Sequence, residues 1–212
     1  QEYIWSNYNG LSKDVKYIDE LIKLEKKKLK AKLKEFPIWF VDIPRSSSST
    51  IQSIMWKKLG WPFGKRNTIN NNFLVQETSH LLPNHSPSFI TKYIIGEKTW
   101  ETLKTFSIVR NPFTWSCSLW HYNINNGDKK FKNYSFMEFL NYLDSNFKTN
   151  VEERKINFNN YRQTDYLYDK DGRKLVKKLI RFENRKDIKS FMESIGVNYS
   201  SNIHINKSNN IN

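Results

Sequence analysis

A single cysteine, Cys117, stands in the 212 residues, so no internal disulfide can form and no cysteine-based zinc site is available. Apolar runs are short, and nowhere do about 18 such residues follow one another as a bilayer-spanning helix requires. The first residues show no signal-peptide core, although the chain opens on Gln1 and a leader or anchor upstream of it stays an open alternative. Glycine is scarce, with 7 residues, and the pattern GxxxxGK(S/T) is missing, which removes the kinase-type phosphate loop. Acidic residues fall short as well: 21 Asp and Glu face 35 Lys and Arg, and the net charge of +14 calls for an anionic partner. Charge alone leaves nucleotide, acidic or sulfated glycan, nucleic acid and membrane surface in play. The length suits one domain with a substantial core.

What the chain does have is an apolar strand that runs into a cationic, hydroxyl-rich turn and then a helix, over Ile38-Trp39-Phe40-Val41-Asp42-Ile43-Pro44-Arg45-Ser46-Ser47-Ser48-Ser49-Thr50-Ile51. A helix N-terminus presents unpaired N–H groups and the positive end of its dipole, so a phosphate or sulfate is favoured there. Arg45 and the hydroxyls of Ser46, Ser47, Ser48, Ser49 and Thr50 add donors to the same place. Ile51, Ile54, Met55 and Leu59 then recur at helical spacing before Gly60 and Pro62. A second strand, Thr105 to Val109, breaks at Arg110-Asn111-Pro112, a further strand-to-helix anion site, because proline ends a ladder but suits the first turn of a helix.

Upstream, residues 1–36 form an N-terminal basic segment whose residues 12–36 carry Val15, Ile18, Ile22, Leu29 and Leu33 at roughly helical spacing amid lysines, an exposed amphipathic helix set before an α/β domain over residues 37–212. Its lysine face is a solvated surface or a dock for a polyanion or an acidic membrane. Lys65 to Asn72 and Gly127 to Tyr134 read as surface loops, and Phe73-Leu74-Val75 as a short strand. Helices are predicted over Pro87 to Ile95 before Gly96, after Ser135 with Glu138 in a capping box, and through Ile188, Phe191, Met192 and Ile195. Leu179-Ile180-Arg181-Phe182 reads as a strand, and Ser200 to Asn212 as a polar loop or tail. Strands alternating with helices predict an α/β fold whose mainly parallel central sheet is flanked by helices. Most tryptophans, Trp39, Trp56, Trp61, Trp100, Trp115 and Trp120 among them, are expected to pack in the core, leaving one or two aromatics to stack on a sugar or adenine.

In order and spacing these segments resemble the sulfotransferases that use 3′-phosphoadenosine 5′-phosphosulfate (PAPS), in particular the carbohydrate O-sulfotransferase branch. Pro44-Arg45-Ser46-Ser47-Ser48-Ser49-Thr50 is similar to that family's 5′-phosphosulfate loop, usually Pro-Lys-Thr-Gly-Gly-Thr-Ser, and Val109-Arg110-Asn111-Pro112-Phe113 with Ser118 to its 3′-phosphate motif. Gln163-Thr164-Asp165-Tyr166-Leu167, Arg181-Phe182-Glu183-Asn184 and Asn206-Lys207-Ser208 resemble later blocks. The resemblance implies a three-layer P-loop-like fold and transfer of a sulfuryl group from PAPS to an acceptor hydroxyl, with PAP as product and no metal. It implies that Arg45 stands at the catalytic lysine's position, that Arg110 and Ser118 hold the 3′-phosphate, and that Lys207 and Ser208 close over the nucleotide. It also implies a histidine base ahead of a helix that ends in glycine, an arrangement that His85-Ser86-Pro87 through Gly96 reproduces; His80, Glu77 and Asp42 are the alternatives.

Sulfuryl transfer asks mainly for cations and N–H donors around a dispersed negative charge. Arginine stays protonated in proteins, so Arg45 can hydrogen-bond a leaving oxygen but not hand it a proton. A serine-rich loop tolerates positive φ less well than glycine, so a turn that needs such angles is strained. The acceptor is expected to be a carbohydrate, and an anionic glycan suits the basic surface. No specific nucleic acid is expected, for no groove-binding or single-strand motif occurs. A soluble cytoplasmic protein is expected, or a Golgi-lumen catalytic domain if an anchor stood upstream. Two other readings stand beside this one: a noncatalytic module that binds polyanion or nucleic acid, and an atypical small-molecule kinase.

Overall fold

The computed structural model describes residues 15–59, 85–126, 129–148 and 161–199. The lysine-rich segment forms helix α1, Val15–Glu35, built from good helix formers without glycine or proline, and Pro37 stops it just before strand β1, Ile38–Val41. Helix α2, Ser48–Leu59, follows the serine turn. Helix α3, Ser88–Ile95, and the short α4, Glu97–Thr102, lead into β2, Lys104–Val109. Helix α5, Pro112–Asn126, a 3₁₀ turn at Lys129–Phe131 and α6, Phe136–Phe147, come next. A 3₁₀ turn at Thr164–Tyr166, strand β3, Lys178–Arg181, and helix α7, Arg185–Ser194, complete the described elements.

The chain is α/β: a small parallel sheet in the order β1-β2-β3, with seven α-helices among the described residues. Register pairs Trp39 with Thr105 and Ser107 with Leu179, so alternation sends Trp39, Val41, Val109 and Leu179 to one face. That face meets Leu29 and Leu33 of α1, Ile94 and Ile95 of α3, Trp100 of α4 and the buried Tyr161, Tyr166 and Val176. Ile38, Phe40, Phe106, Ile108 and Ile180 point the other way, against Ile51, Ile54 and Met55 of α2 and Ile188 and Met192 of α7. Strands covered on both faces favour apolar runs: IWFV is one, and in KTFSIV the buried hydroxyls of Thr105 and Ser107 are hydrogen-bonded to the Lys177 N–H and the Val41 carbonyl. A third cluster joins Trp115 and Leu119 of α5 to Phe131, Phe139 and Leu143.

The predicted capping box is present: the Glu138 N–H donates to the Ser135 hydroxyl at 3.3 Å, and the Ser135 N–H to the Glu138 carboxylate at 2.7 Å. As expected, Gly96 ends α3, and with φ 90° it also leads into α4, an element the residue spacing did not reveal. Two readings shift. Helix α1 is not merely an exposed neighbour, since Leu29 and Leu33 enter the core. Within the expected surface loop from Gly127 to Tyr134, Phe131 is instead buried, at the end of the 3₁₀ turn. The readings on Lys65 to Asn72, Phe73 to Val75, Gly60, Trp61, Pro62 and Ser200 to Asn212 lie outside the described residues.

Candidate functional site

All three strands are parallel, so their carboxyl ends share one edge of the sheet, where ligands bind in open α/β folds. Three turns meet there. The first, after β1, contains two non-glycine residues in the left-handed region, Arg45 at φ 63° and Ser47 at φ 72°. Such angles cost L-residues about 1–2 kcal/mol each and persist only where surrounding contacts over-determine them. Those contacts are visible. The Trp115 indole N–H donates to the Pro44 carbonyl at 2.8 Å, the Arg110 guanidinium to the Arg45 carbonyl at 3.2 Å, and the Ile51 N–H to the Ser47 carbonyl at 3.0 Å, which starts α2.

The second turn follows β2. Asn111 caps α5, its side-chain oxygen accepting from the Phe113 N–H at 3.0 Å, and Pro112 opens the helix. Gln163 clamps the Arg110 peptide from both sides, accepting from its N–H and donating to its carbonyl, each at 2.8 Å. Glu183, from the third turn, accepts from the Asn111 N–H at 2.8 Å and so ties the end of β3 to the same place.

Arg45 and Arg110 therefore converge from two strands. The Arg45 Nε donates to the Ser118 hydroxyl at 3.1 Å and its guanidinium lies 5.0 Å from the Tyr122 ring centroid. The Arg110 Nε donates to the Thr114 hydroxyl at 3.1 Å, and Phe182 lies 4.8 Å beneath its guanidinium. Burial pulls the Arg45 guanidinium below its ordinary value, and burial together with the charge of Arg45 does the same to Arg110. Among the described residues neither is ion-paired with a carboxylate. The hydroxyl of Ser46, a residue only 1% exposed, has no hydrogen-bond partner among them either. Two adjacent cations and a buried idle hydroxyl beside the N-terminus of a 12-residue helix are groups whose chemistry suits an anion.

Next to this turn stands a second polar group. Asp42, the first residue beyond β1, is 6% exposed, and its Oδ2 lies 2.8 Å from His85 Nδ1. The Gln52 amide, from α2, donates to the same oxygen. His85 sits at φ 59°, just before Ser86, Pro87 and α3. Burial pushes the Tyr166 phenol well above its usual value, and the Asp42 charge acts in the same direction, so that group stays a neutral donor.

Of the residues singled out from sequence, Arg45, Ser46, Ser47, Ser48, Ser49, Thr50, Arg110, Ser118 and His85 are described. The hydrogen bonds above bring Arg45, Arg110 and Ser118 into one network. His80, Glu77, Lys207 and Ser208 lie outside the described residues. Sequence reading missed the clamp by Gln163, the tether from Trp115 and the pairing of Asp42 with His85. Each joins residues more than 40 positions apart. A cavity of about 470 Å³ beside Phe89, Tyr93, Gly96 and Leu175 contains none of these groups, and the charges around it are already paired, Lys92 with Glu97 at 2.8 Å and Arg173 with Asp169 at 2.9 Å. No known protein family, curated protein or solved structure matches the chain.

Proposed function

We propose that the chain is a PAPS-dependent O-sulfotransferase that moves a sulfuryl group to an acceptor hydroxyl on a carbohydrate, on a three-layer P-loop-like fold. The observation that carries this reading is the convergence of Arg45 and Arg110, unpaired with carboxylates among the described residues, on a helix N-terminus that holds the idle Ser46 hydroxyl. A donor with a 5′-phosphosulfate and a 3′-phosphate needs two anion sites side by side, one for each turn. The resemblance supports it at one further point: the family's loop has glycine where Ser47 stands here, and Ser47 has the positive φ that glycine accommodates without strain.

In this reading the donor supplies an activated sulfuryl group, and the protein's residues do the rest. Arg45 and the N–H groups at the start of α2 hold the 5′ end and stabilise the charge that collects on the departing phosphate. Arg110, fixed by Gln163, holds the 3′-phosphate with Ser118. His85 takes the acceptor's proton while the new O–S bond forms and the bond from sulfur to the phosphate oxygen breaks. Helix α1, with Lys27, Lys28, Lys30, Lys32 and Lys34 exposed, supports an anionic glycan as the acceptor.

Titration calorimetry with 3′-phosphoadenosine 5′-phosphate, 5′-AMP and ATP–magnesium tests the reading. Binding that requires the 3′-phosphate and weakens at least about tenfold in Arg110→Ala is expected, since a charge-assisted hydrogen bond is worth about 1.5–3 kcal/mol. Equal binding of 5′-AMP, or a preference for ATP–magnesium, overturns it, the latter in favour of a kinase. Binding of polyanions alone, with steep loss in salt, overturns it in favour of a noncatalytic module.

A further inference from the structure

We propose that Asp42 is a positioning residue that fixes the tautomer and orientation of His85, leaving Nε2 as the ring nitrogen that accepts the acceptor's proton. This rests on the reading of His85 as the base, but the geometry behind it is independent of that reading. Asp42 is buried just beyond β1, its Oδ1 without a hydrogen-bond partner among the described residues, so the contacts that hold this carboxylate fall on Oδ2. Its Oδ2 is 2.8 Å from His85 Nδ1, with the two side chains 8% and 16% exposed. Carboxylate oxygen is an acceptor only, so Nδ1 must carry the hydrogen and the lone pair falls on Nε2.

Two features show that the pair is held rather than met by chance. The Gln52 amide donates to the same carboxylate oxygen and so fixes the acceptor from α2. His85 is kept at φ 59°, in the left-handed region, so its backbone is held against preference where the ring meets Asp42. The Asp42 main-chain carbonyl, 3.4 Å from the same Nδ1, lies on the same side of the ring. A proton gained at Nε2 leaves the ring facing the Asp42 carboxylate through Nδ1.

Nitrogen-15 NMR of the histidine ring in the intact chain is the first arm, because it reads the tautomer without any need for turnover. The Nδ1–H tautomer is expected for His85, and loss of its signature in Asp42→Ala; an Nε2–H tautomer in the unaltered chain overturns the proposal. The second arm compares transfer rates. Asp42→Asn, which keeps the volume and so the fold, should lower kcat at least about tenfold while 3′-phosphoadenosine 5′-phosphate binds within twofold of the original. In a His85→Ala background the same change should cost nothing further. An equal loss in that background means that Asp42 does not act through His85. Failure of the nucleotide to bind at all strikes the sulfotransferase reading instead, and leaves the tautomer result to decide the pairing.

Discussion

Replacing Ser47 by glycine should stabilise the protein. Ser47 holds φ 72° in the turn between β1 and α2, a conformation in which its Cβ crowds the neighbouring carbonyl. An L-residue loses about 1–2 kcal/mol there, whereas glycine loses only the extra backbone freedom of the unfolded chain, about 0.5–1 kcal/mol. The net gain is about 0.5–1 kcal/mol, which for a chain of this size raises Tm by about 1–4 °C. The Ser47 carbonyl still accepts from the Ile51 N–H at 3.0 Å, so α2 keeps its first turn. Ser47→Ala is the control, since it removes the hydroxyl but keeps the Cβ, and it should show no gain. Scanning calorimetry in a buffer without phosphate or sulfate makes the comparison without interference from a bound anion. If Ser47→Gly proves no more stable than Ser47→Ala, the strain read from the positive φ of this turn does not exist.

The remaining predictions concern how the fold is held. Leu33→Ala, which empties a site 2% exposed between α1 and the sheet, should cost about 2–5 kcal/mol in urea unfolding; a loss below about 1 kcal/mol would mean that α1 does not dock. Ser135→Ala should cost about 1 kcal/mol by removing the cap of α6. The Ser135 hydroxyl and N–H hold the Glu138 carboxyl below its usual range, so the folded value is the lower one. That contribution is present above the unfolded carboxylate value and fades as pH falls through the folded one. The gap between the original chain and Ser135→Ala should therefore narrow from pH 7 to pH 3, and a constant gap would refute the ionic half of the box.

Much of the secondary structure was legible because its causes are local. The buried strands Ile38–Val41 and Lys104–Val109 announce themselves as apolar runs that stop at a turn or at Pro112. Ser135 with Glu138 is a signal four residues long, and geometry bears it out. Strand β3 was harder, since it carries Lys178 and Arg181 at an edge and its reading fell one residue late. The short α4 was missed because Gly96 looks the same whether it ends a helix or turns one into another.

The candidate site divides along the same line. Arg45, the hydroxyls after it and Arg110 could be nominated from sequence, since a cationic or hydroxyl-rich turn between an apolar strand and a helix has a local meaning. Their convergence could not, for it depends on β1 and β2 lying side by side and parallel, with the two arginines 65 positions apart. Likewise, His85 and Asp42 could be listed as candidate bases but not seen as partners, and Gln163 and Trp115 carried no sign that they would pin the two turns. The sequence by itself determined the charge, the α/β pattern and which residue types stand at the strand ends, because these follow from composition and spacing along the chain. Only the tertiary structure decided which of them meet, because hydrogen bonds and ion pairs depend on distances of a few ångströms that the order of residues does not contain.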